Sequence, residues 1–354
     1  MTIISSQNKA HRDSIISLRV SSIVLTVLIT LSLILLILLP TQAKNTSNFP
    51  QSPPHPLTLS PTPSLTLTAT PPPQYHPTDS CINKKLLNRL TIGTGTLYAT
   101  SVFGLYQLWY KDYDRSSFHF FNDNYEWMQI DKAGHATTSY HLGVMGYEAL
   151  TLSGTDNTRA ALIGGSLGLF YLTTVETFDG FSSGWGASGG DVIANVTGAS
   201  AFIVQQLVWK EQRIAFKWSY HPTKYATYRP DLFGTNELQH MLKDYNGHTY
   251  WLSANISSFL SKQTNFPRWI NIAGGYSATG MTGAFENVES YAGVSIPPYD
   301  RYRKYLISPD IDFTRIKTNS KALHFLLKTF SFIKIPMPAL EFNNKGIKLH
   351  PLYF

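Results

Sequence analysis

Residues 131–198 place the strongest constraint on how this chain folds, because short polar motifs interrupt a sequence that is otherwise apolar. The apolar segments in and around this region span residues 92–110, 135–152, 160–175 and 192–209. Each is close to membrane-spanning length and contains Gly, Ser and Thr, which permit tight helix packing. We therefore predict a mainly α fold, built on a compact bundle of about four apolar helices that is embedded in a membrane or lies against one. A fully water-soluble bundle is the alternative.

Polar side chains recur at helical spacing inside this region. The motifs are Asp131-Lys132-Ala133-Gly134-His135, Glu176-Thr177-Phe178-Asp179-Gly180, Ser183-Gly184-Trp185-Gly186 and Asp191-Val192-Ile193-Ala194-Asn195. Residues three or four positions apart share a helix face. Asp131 with His135, Glu176 with Asp179, and Asp191 with Asn195 therefore form three polar pairs. We predict that these side chains and Lys132 converge in the middle of the bundle. The Trp185 loop is interpreted as a tight turn that closes this site.

Helix capping is the competing explanation for two of the carboxylates. Asp131 precedes a helix, and Ser188-Gly189-Gly190-Asp191 matches a capping box. Glu176 and Asp179 resist this explanation, because they lie at the C-terminal end of their helix, where the macrodipole disfavours negative charge. A cationic group is therefore expected beside them, unless that helix end is exposed to water. The candidates are Lys132, His135, His141 and a bound metal ion.

A mixture of imidazole and carboxylate groups can bind Mn, Fe or Zn, or it can perform general acid and base catalysis. The residues that would hold a divalent metal are His135, Glu176, Asp179 and Asp191. Their spacing is neither Glu-x-x-His nor His-Glu-x-x-His, so the established helix-bundle metal motifs are not met. A divalent cofactor is therefore a hypothesis, and so is a catalytic role for these residues with Asp131, Lys132 and Asn195.

The N-terminal region carries a targeting signal and not a folded domain. Three basic residues, Lys9, Arg12 and Arg19, precede an uncharged run rich in Leu, Ile and Val over residues 20–39. Residues 1–43 are therefore predicted to be a signal peptide or a retained membrane anchor. Residues 44–80 are rich in Pro, Ser and Thr and have almost no charge, which predicts an extended, disordered linker.

Composition narrows the range of partners. Charged residues make up 14% of the chain and aromatic residues 13%, as expected near a membrane. The net charge of +7 arises mostly after residue 212 from scattered basic residues, which suit anionic lipid or another envelope polymer better than nucleic acid. We expect membrane lipid or envelope components as partners, and no nucleic acid. Cys81 is the only cysteine, which excludes an intrachain disulfide and a cysteine-based zinc site.

The residue pattern changes near residue 213, from long apolar segments to short alternating runs. Residues 81–212 are predicted to form the helical core, and residues 213–354 a basic, aromatic α+β region with short antiparallel strands. Strands are predicted at 310–316 and 346–353, with a turn at 343–346 and a helix at 321–335. The alternation that ends at Phe354 resembles the terminal signal of outer-membrane barrels, but few strands are visible, and Pro309 and Pro351 suit central strands poorly. A small sheet packed on the bundle is expected.

Several of these motifs together resemble a known family. Asp131-Lys132-x-x-His135, Glu176-x-x-Asp179-Gly180, the Ser-Gly-Trp-Gly loop and Asp191-x-x-x-Asn195-x-x-Gly198 resemble the YfiM-like family of predicted periplasmic lipoproteins, whose function is unknown. The first and last motifs are also distantly similar to VanZ-like membrane proteins. Residues 269–276 and 310–312 look like the longer envelope versions of Bacteroidetes-type bacteria. The resemblance implies an exported, periplasmic, membrane-associated protein and no activity, and this chain lacks an evident lipid-attachment cysteine near its N-terminus.

Two functions remain open at this stage. The preferred one is a non-catalytic envelope protein with a structural or binding role, because no known catalytic pattern is met. The alternative is an enzyme whose His and carboxylate groups, with or without a metal, act on a lipid-linked or phosphorylated envelope substrate.

Overall fold

The computed structural model describes residues 82–111, 113–261 and 264–354. The predicted signal or anchor at 1–43, the predicted linker at 44–80 and Cys81 lie outside the described residues.

Helices occupy the first half of the described chain. They are α1 (Lys84–Leu105), α2 (Ile130–Leu152), α3 (Asn157–Gly180) and α4 (Gly189–Trp209). Helix α2 is central, because it packs against α3 and α4 and also contacts the C-terminal sheet. By length and composition α3 and α4 are each able to cross a membrane, although core helices of soluble proteins meet the same criterion.

Glycines allow the neighbouring helices to approach the backbone of α2. A Cβ atom on Gly146 would lie 2.3 Å from the carbonyl oxygen of Gly164 in α3. A Cβ atom on Gly198 of α4 would lie 2.0 Å from the carbonyl oxygen of Ala136 in α2. Such contacts leave no room for a side chain, and they are typical of closely packed apolar helices. The close crossing brings the polar faces of α2 and α4 together.

A left-handed turn sets the start of α2. Residues 127–129 are not glycines, yet their φ angles are 47°, 50° and 64°. Each such residue costs about 1–2 kcal/mol relative to the right-handed conformation, so other contacts must hold the turn. Tyr276 donates a hydrogen bond to the carbonyl oxygen of Met128, and Arg303 Nη2 donates to Gln129 Oε1 at 2.7 Å. The C-terminal region therefore fixes the position at which α2 begins.

The C-terminal region contains eight strands and three short helices among its described residues. The strands are β1 (Ile214–Tyr220), β2 (His248–Asn255), β3 (Ile270–Thr279), β4 (Ser290–Tyr291), β5 (Val294–Ser295), β6 (Tyr302–Ile311), β7 (Met337–Asn343) and β8 (Gly346–Tyr353). The helices are α5 (Pro230–Phe233), α6 (Glu237–Lys243) and α7 (Lys321–Thr329). Six strands form one antiparallel sheet in the order β1-β2-β3-β6-β7-β8, while β4 and β5 pair separately.

The six-stranded sheet exposes apolar side chains on one face, and on the other face it buries many polar side chains beside a small apolar cluster, which differs from the pattern of a soluble sheet. Buried polar positions include Lys217, Ser253, Asn271, Ser308, Asp310 and Glu341. Exposed apolar positions include Leu252, Ile272, Ile307, Leu340, Ile347 and Leu349. Because successive residues of a strand point to opposite faces, the two sets lie on opposite sides of the sheet.

Curling of the sheet encloses its polar face. The ring of Trp251 in β2 packs 5.9 Å from that of Tyr353 in β8, and Thr249 Oγ1 lies 3.2 Å from the Tyr353 hydroxyl. Inside the curl, Lys217 Nζ lies 2.7 Å from Asp310 Oδ2, and both side chains are almost fully buried. Buried charges are tolerated when they are paired in this way.

The structure confirms helices in the N-terminal half followed by a region of antiparallel strands. The turn at 343–346 and the strand at 346–353 are also as predicted. The strand predicted at 310–316 is wrong beyond Ile311, because Asp312 accepts a hydrogen bond from Thr314 N and begins a 3-10 turn. The helix predicted at 321–335 ends at Thr329, because Ile333 instead bridges to Trp218 of β1. At ten residues each, β3 and β6 are longer than expected.

The two prolines in strands occupy positions that tolerate them. Pro309 lies in β6 beyond the residues that pair with β7, which are Tyr305 to Ile307. Pro351 lies in β8, the last strand in the order of the sheet. Proline lacks a backbone N–H, and such positions do not require one on both sides.

Candidate functional site

Lys132, in the first turn of α2, is the positive centre of the candidate site. Its Nζ lies 2.6 Å from Asp123 Oδ2, 2.9 Å from Asp131 Oδ2 and 3.0 Å from Asp191 Oδ1. None of these four side chains is more than 13% exposed. Burial alone would lower the pKa of Lys132, but the surrounding carboxylates outweigh it and raise that pKa above its usual value. Lys132 therefore stays charged and joins α2 to α4.

His135, one turn further along α2, faces two carboxylates, one of which is again Asp191. Its Nδ1 lies 3.8 Å from Glu176 Oε1 of α3, and its Nε2 lies 3.9 Å from Asp191 Oδ1 of α4. One possible ligand atom from each of these three residues lies within 4.8 Å of the other two. Three helices thus contribute to one small polar group, which we call the His135 centre (His135, Glu176 and Asp191).

Asn195 of α4 orients the imidazole ring. His135 Nδ1 lies 3.0 Å from Asn195 Oδ1, and an amide oxygen only accepts hydrogen bonds. When the ring is neutral, this contact places its proton on Nδ1 and leaves the lone pair of Nε2 free. Histidines that bind metals characteristically hold one ring nitrogen in this way.

Glu176 has one satisfied and one unsatisfied carboxylate oxygen. The backbone N–H of Ser188 donates to Oε2 at 2.9 Å, whereas Oε1 is buried without a hydrogen-bond partner, and the residue is only 4% exposed. Burial raises the pKa of Glu176 to about 7, against the opposing effects of the Ser188 hydrogen bond and of His135. A buried carboxylate oxygen without a hydrogen-bond partner destabilises the folded protein. Binding of a proton or a cation at Glu176 would remove this cost.

Negative charge exceeds positive charge throughout the site. The carboxylates are Asp123, Glu126, Asp131, Glu176, Asp179 and Asp191, and the basic groups are Lys132 and His135. Burial also raises the pKa of Asp191 to about 6 and that of Glu126 to about 7. Proton uptake is one way to reduce the imbalance, and binding of a divalent cation is another.

Asp179 lies apart from the His135 centre, although its helical spacing predicted it there as a possible metal ligand. The hydroxyl of Tyr110 donates to Asp179 Oδ1 at 2.7 Å, so the last turn of α3 presents Asp179 to the π-helical turn that follows α1. His141, considered as a partner of Glu176, instead has its Nε2 2.7 Å from the carbonyl oxygen of Phe216 in β1. The other six predicted residues meet around Lys132 and His135.

Capping explains less of the site than expected. Asp131 does not cap α2, because the capping position is Gln129 in a left-handed conformation and Asp131 lies inside the first turn. Ser188 does cap α4, since its hydroxyl oxygen accepts from Asp191 N at 3.0 Å. The reciprocal half of the box is taken over by Glu176, which accepts from Ser188 N. The cap of α4 is thus part of the site.

Three residues of this region are not predicted by the sequence pattern. Asp123 pairs with Lys132 and accepts a 2.5 Å hydrogen bond from the Ser188 hydroxyl, although it belongs to a loop with no helical spacing. Ser188 was considered only as a cap, and Tyr110 only as the end of an apolar segment. The ring of Trp185 packs 4.4 Å from that of Tyr113 and 5.9 Å from that of Tyr110, on the Asp179 side.

Substitution of Asp179 by Asn is expected to remove a pH-dependent loss of stability. Burial raises the pKa of Asp179 from 3.8 to about 6, so the folded state binds its proton more tightly than the unfolded state does. Its stabilising contribution is complete below about pH 4 and is lost as the pH rises through 6. We expect Asp179→Asn, measured by urea denaturation in chelator, to gain on the order of 1 kcal/mol relative to wild type between pH 4 and 7. Parallel pH profiles for the two proteins would contradict this account.

The fold and site define a class of protein: a glycine-packed helical bundle with an acidic imidazole–carboxylate centre, followed by a curled sheet that exposes apolar residues. Residues 119–206 match the model of a family described as predicted periplasmic lipoprotein (DUF2279). This match covers less than half of the chain, yet it includes every acidic and basic residue of the candidate site. It supports a location in the periplasm or cell envelope, and the description assigns no activity. Searches of curated proteins and of solved structures returned no match.

Proposed function

We propose that this chain is an exported, membrane-associated protein of the cell envelope, with a structural or binding role, whose helical core binds a divalent cation. The observation that supports a cation site is the geometry of the His135 centre. Glu176 Oε1 is buried there without a hydrogen-bond partner, and the free lone pair of His135 Nε2 faces Asp191. Nitrogen and carboxylate oxygen ligands together suit Zn, Mn or Fe. Asn195 and Ser188 would act as the groups that orient these ligands.

The many apolar side chains on the outer surface support the proposal that the protein associates with a membrane. The curled sheet exposes a row of apolar side chains, and the helices expose others. Exposed apolar residues of α1, α3 and α4 include Ile92, Phe103, Ile163, Phe170, Ile193 and Val208. Extended apolar surface of this kind marks contact with lipid or protein. The apolar run at 20–39, with the linker after it, would hold the folded part near the same membrane.

Calorimetric titration with Zn²⁺ or Mn²⁺ tests the cation site. We expect chelator-stripped wild-type protein to bind one equivalent, and Glu176→Gln to bind at least about tenfold more weakly, because it loses the charge of one ligand. Glu148→Gln is the matched control, since Glu148 forms a partly exposed pair with Lys328 on the same bundle. Equal affinities for Glu176→Gln and wild type, or no binding by either, would exclude this site.

Removal of two exposed apolar side chains from β8 tests the membrane contact. Ile347 and Leu349 are 70% and 69% exposed, and burial of each in lipid would contribute about 1.5 kcal/mol or more. We expect the double variant Ile347→Thr with Leu349→Thr to lower the partition onto phospholipid vesicles at least tenfold. Val294→Thr is the control, because Val294 is also highly exposed, at 63%, but lies in β5, outside the six-stranded sheet. An unchanged partition in the double variant would exclude this surface.

A second candidate function is an enzyme that uses the same centre on a lipid-linked or phosphorylated envelope substrate. The observation that favours it is the exposure of His135, whose side chain is 22% exposed, whereas those of Glu176 and Asp191 are 5% and 8% exposed. A reachable imidazole beside two buried carboxylates suits general base catalysis. A His135→Gln variant that keeps both its melting temperature and its function in cells would exclude this candidate. We also propose that this chain is related to YfiM-like proteins and, more distantly, to VanZ-like proteins.

A further inference from the structure

The interior of the curled sheet opens into a second polar region, separate from the helical site. It is a cavity of about 630 Å³ lined mainly by β6, β7 and β8. The lining residues that set its charge are His221, Lys304, Glu341, Lys345, Lys348 and His350. Cations outnumber acids in this lining, which is the opposite of the balance around Lys132.

Lys304 is a buried cation without a carboxylate partner. The residue is 6% exposed, and no ion pair among the described residues involves it. Its Nζ lies 5.6 Å from the centre of the Tyr353 ring. Glu341 is the acidic side chain of the lining, and both of its carboxylate oxygens have other partners. His350 Nε2 lies 2.8 Å from its Oε2, and Asn343 Nδ2 donates to its Oε1 at 2.5 Å. A largely buried lysine side chain without a carboxylate partner favours binding of an anion near its ammonium group.

Lys348 adds to the positive potential of the cavity, whereas Lys345 and His221 add little. Lys348, on β8 opposite Glu341, is exposed and has no ion pair within the described part of the chain. Lys345 is compensated, because its Nζ lies 2.8 Å from Asp300 Oδ2. Burial, together with the nearby Lys304 and His350, lowers the pKa of His221 to about 4, so its ring is neutral and offers one N–H donor. Two lysines therefore remain uncompensated.

We propose that this cavity binds a phosphate monoester, with Lys304 and Lys348 as the ammonium groups that hold the phosphate. A phosphate monoester carries a charge of about −2 near neutral pH, which matches two uncompensated lysines, and lysine binds phosphate as a point charge. The rest of the cavity accommodates an organic group, because apolar and aromatic side chains line it as well. These include Tyr302 and Tyr353. The ligand is either a soluble phosphorylated molecule or the head group of a phosphatidic acid type of lipid.

This inference is independent of the cation centre, because the two sites share no residue. Failure of metal binding at His135 leaves the phosphate site untouched, and the reverse also holds. Vesicle binding through the apolar surface is likewise distinguishable, since it does not require a phosphate monoester.

Calorimetric titration of the full chain with glycerol 3-phosphate, with glycerol as the uncharged control, tests the site. We expect saturable binding of glycerol 3-phosphate at a fixed, moderate salt concentration. Loss of one charge-assisted contact in Lys304→Met is expected to weaken it at least about tenfold, and Lys304→Arg to retain it. Lys317→Met is the matched control, because Lys317 is an exposed lysine outside the cavity.

A second variant and a second probe complete the experiment. Lys348→Met removes an exposed side chain, so its fold is expected to persist even if Lys304→Met unfolds. Phosphatidylcholine vesicles with and without phosphatidic acid identify the source of the phosphate. Stronger binding to phosphatidic acid that depends on Lys304 or Lys348 indicates a lipid, and binding of glycerol 3-phosphate alone indicates a soluble ligand. The proposal is overturned if neither probe binds, or if both lysine variants bind the probes as wild type does.

Discussion

Lys132→Met is expected to destabilise the folded protein by about 3–5 kcal/mol near neutral pH. The substitution removes the ammonium group that lies within 3.0 Å of carboxylate oxygens from Asp123, Asp131 and Asp191. Three mostly buried carboxylates would then face each other without a counter-ion, and loss of one partner of a buried ion pair costs about this amount. Urea denaturation of wild type and variant measures the difference directly.

The same experiment contains its own control and its own pH test. Lys328→Met breaks a pair with Glu148 in which the side chains are 41% and 33% exposed, so a loss of about 0–1 kcal/mol is expected. The cost of Lys132→Met should also shrink toward pH 5, because protonation removes the unbalanced negative charge. Equal losses for the two lysine variants, or a loss that does not depend on pH, would show that Lys132 is not the electrostatic centre.

Gly198→Ala is expected to destabilise the protein by about 3 kcal/mol. The added Cβ atom would lie 2.0 Å from the carbonyl oxygen of Ala136 and 2.9 Å from Ser139 Cβ. The nearest atom belongs to the backbone, so α4 must move away from α2, and overpacking of this kind costs about 1–3 kcal/mol. The hydrogen bond from Ser139 Oγ to the carbonyl oxygen of Asn195, 2.7 Å long, would be strained by the same movement.

A glycine in the first turn of the same helix provides the comparison. A Cβ atom on Gly189 would have no neighbouring atom within 4 Å, and Ala is the better helix former by about 0.5–1 kcal/mol. Gly189→Ala should therefore be neutral or stabilising in thermal and urea denaturation. The close crossing of α2 and α4 would be contradicted if Gly198→Ala behaved like Gly189→Ala.

Helical spacing accounts for the part of the site that the sequence could predict. Asp131 with His135, and Asp191 with Asn195, are four residues apart, and each pair occupies one face of its helix. Gly198 continues the second face by three residues and marks the point where α2 approaches. Spacing therefore predicts which residues share a face, and a small residue on that face predicts close contact with a neighbour.

Asp179 and Asp123 show where this reasoning stops. Residues three apart are separated by about 60° around a helix, and that angle is enough to turn Asp179 away from His135 toward Tyr110. Asp123 lies in a loop, so no periodicity points to it. Its position depends on the left-handed turn before α2, which is held by Tyr276 and Arg303 from more than 140 residues further along the chain.

The sheet shows a related limit. Alternation over residues 346–353 predicted a strand, but alternation alone does not show which of the two faces becomes buried. Which face becomes buried depends on the curl of the sheet, which Tyr353 stabilises through contacts with Trp251 and Thr249 of β2. Contacts between residues about 100 positions apart therefore enclosed the polar face and left Ile347 and Leu349 exposed.

The cation centre is tested most directly by anomalous diffraction from crystals of the protein soaked in Zn²⁺ or Mn²⁺, recorded at the absorption edge of the metal. The proposal predicts one strong peak about 2.0–2.3 Å from the nearest atoms of His135, Glu176 and Asp191. Asn195 should remain hydrogen-bonded to the imidazole ring. Absence of a peak between these three residues, with the metal bound elsewhere or not at all, would contradict the proposal.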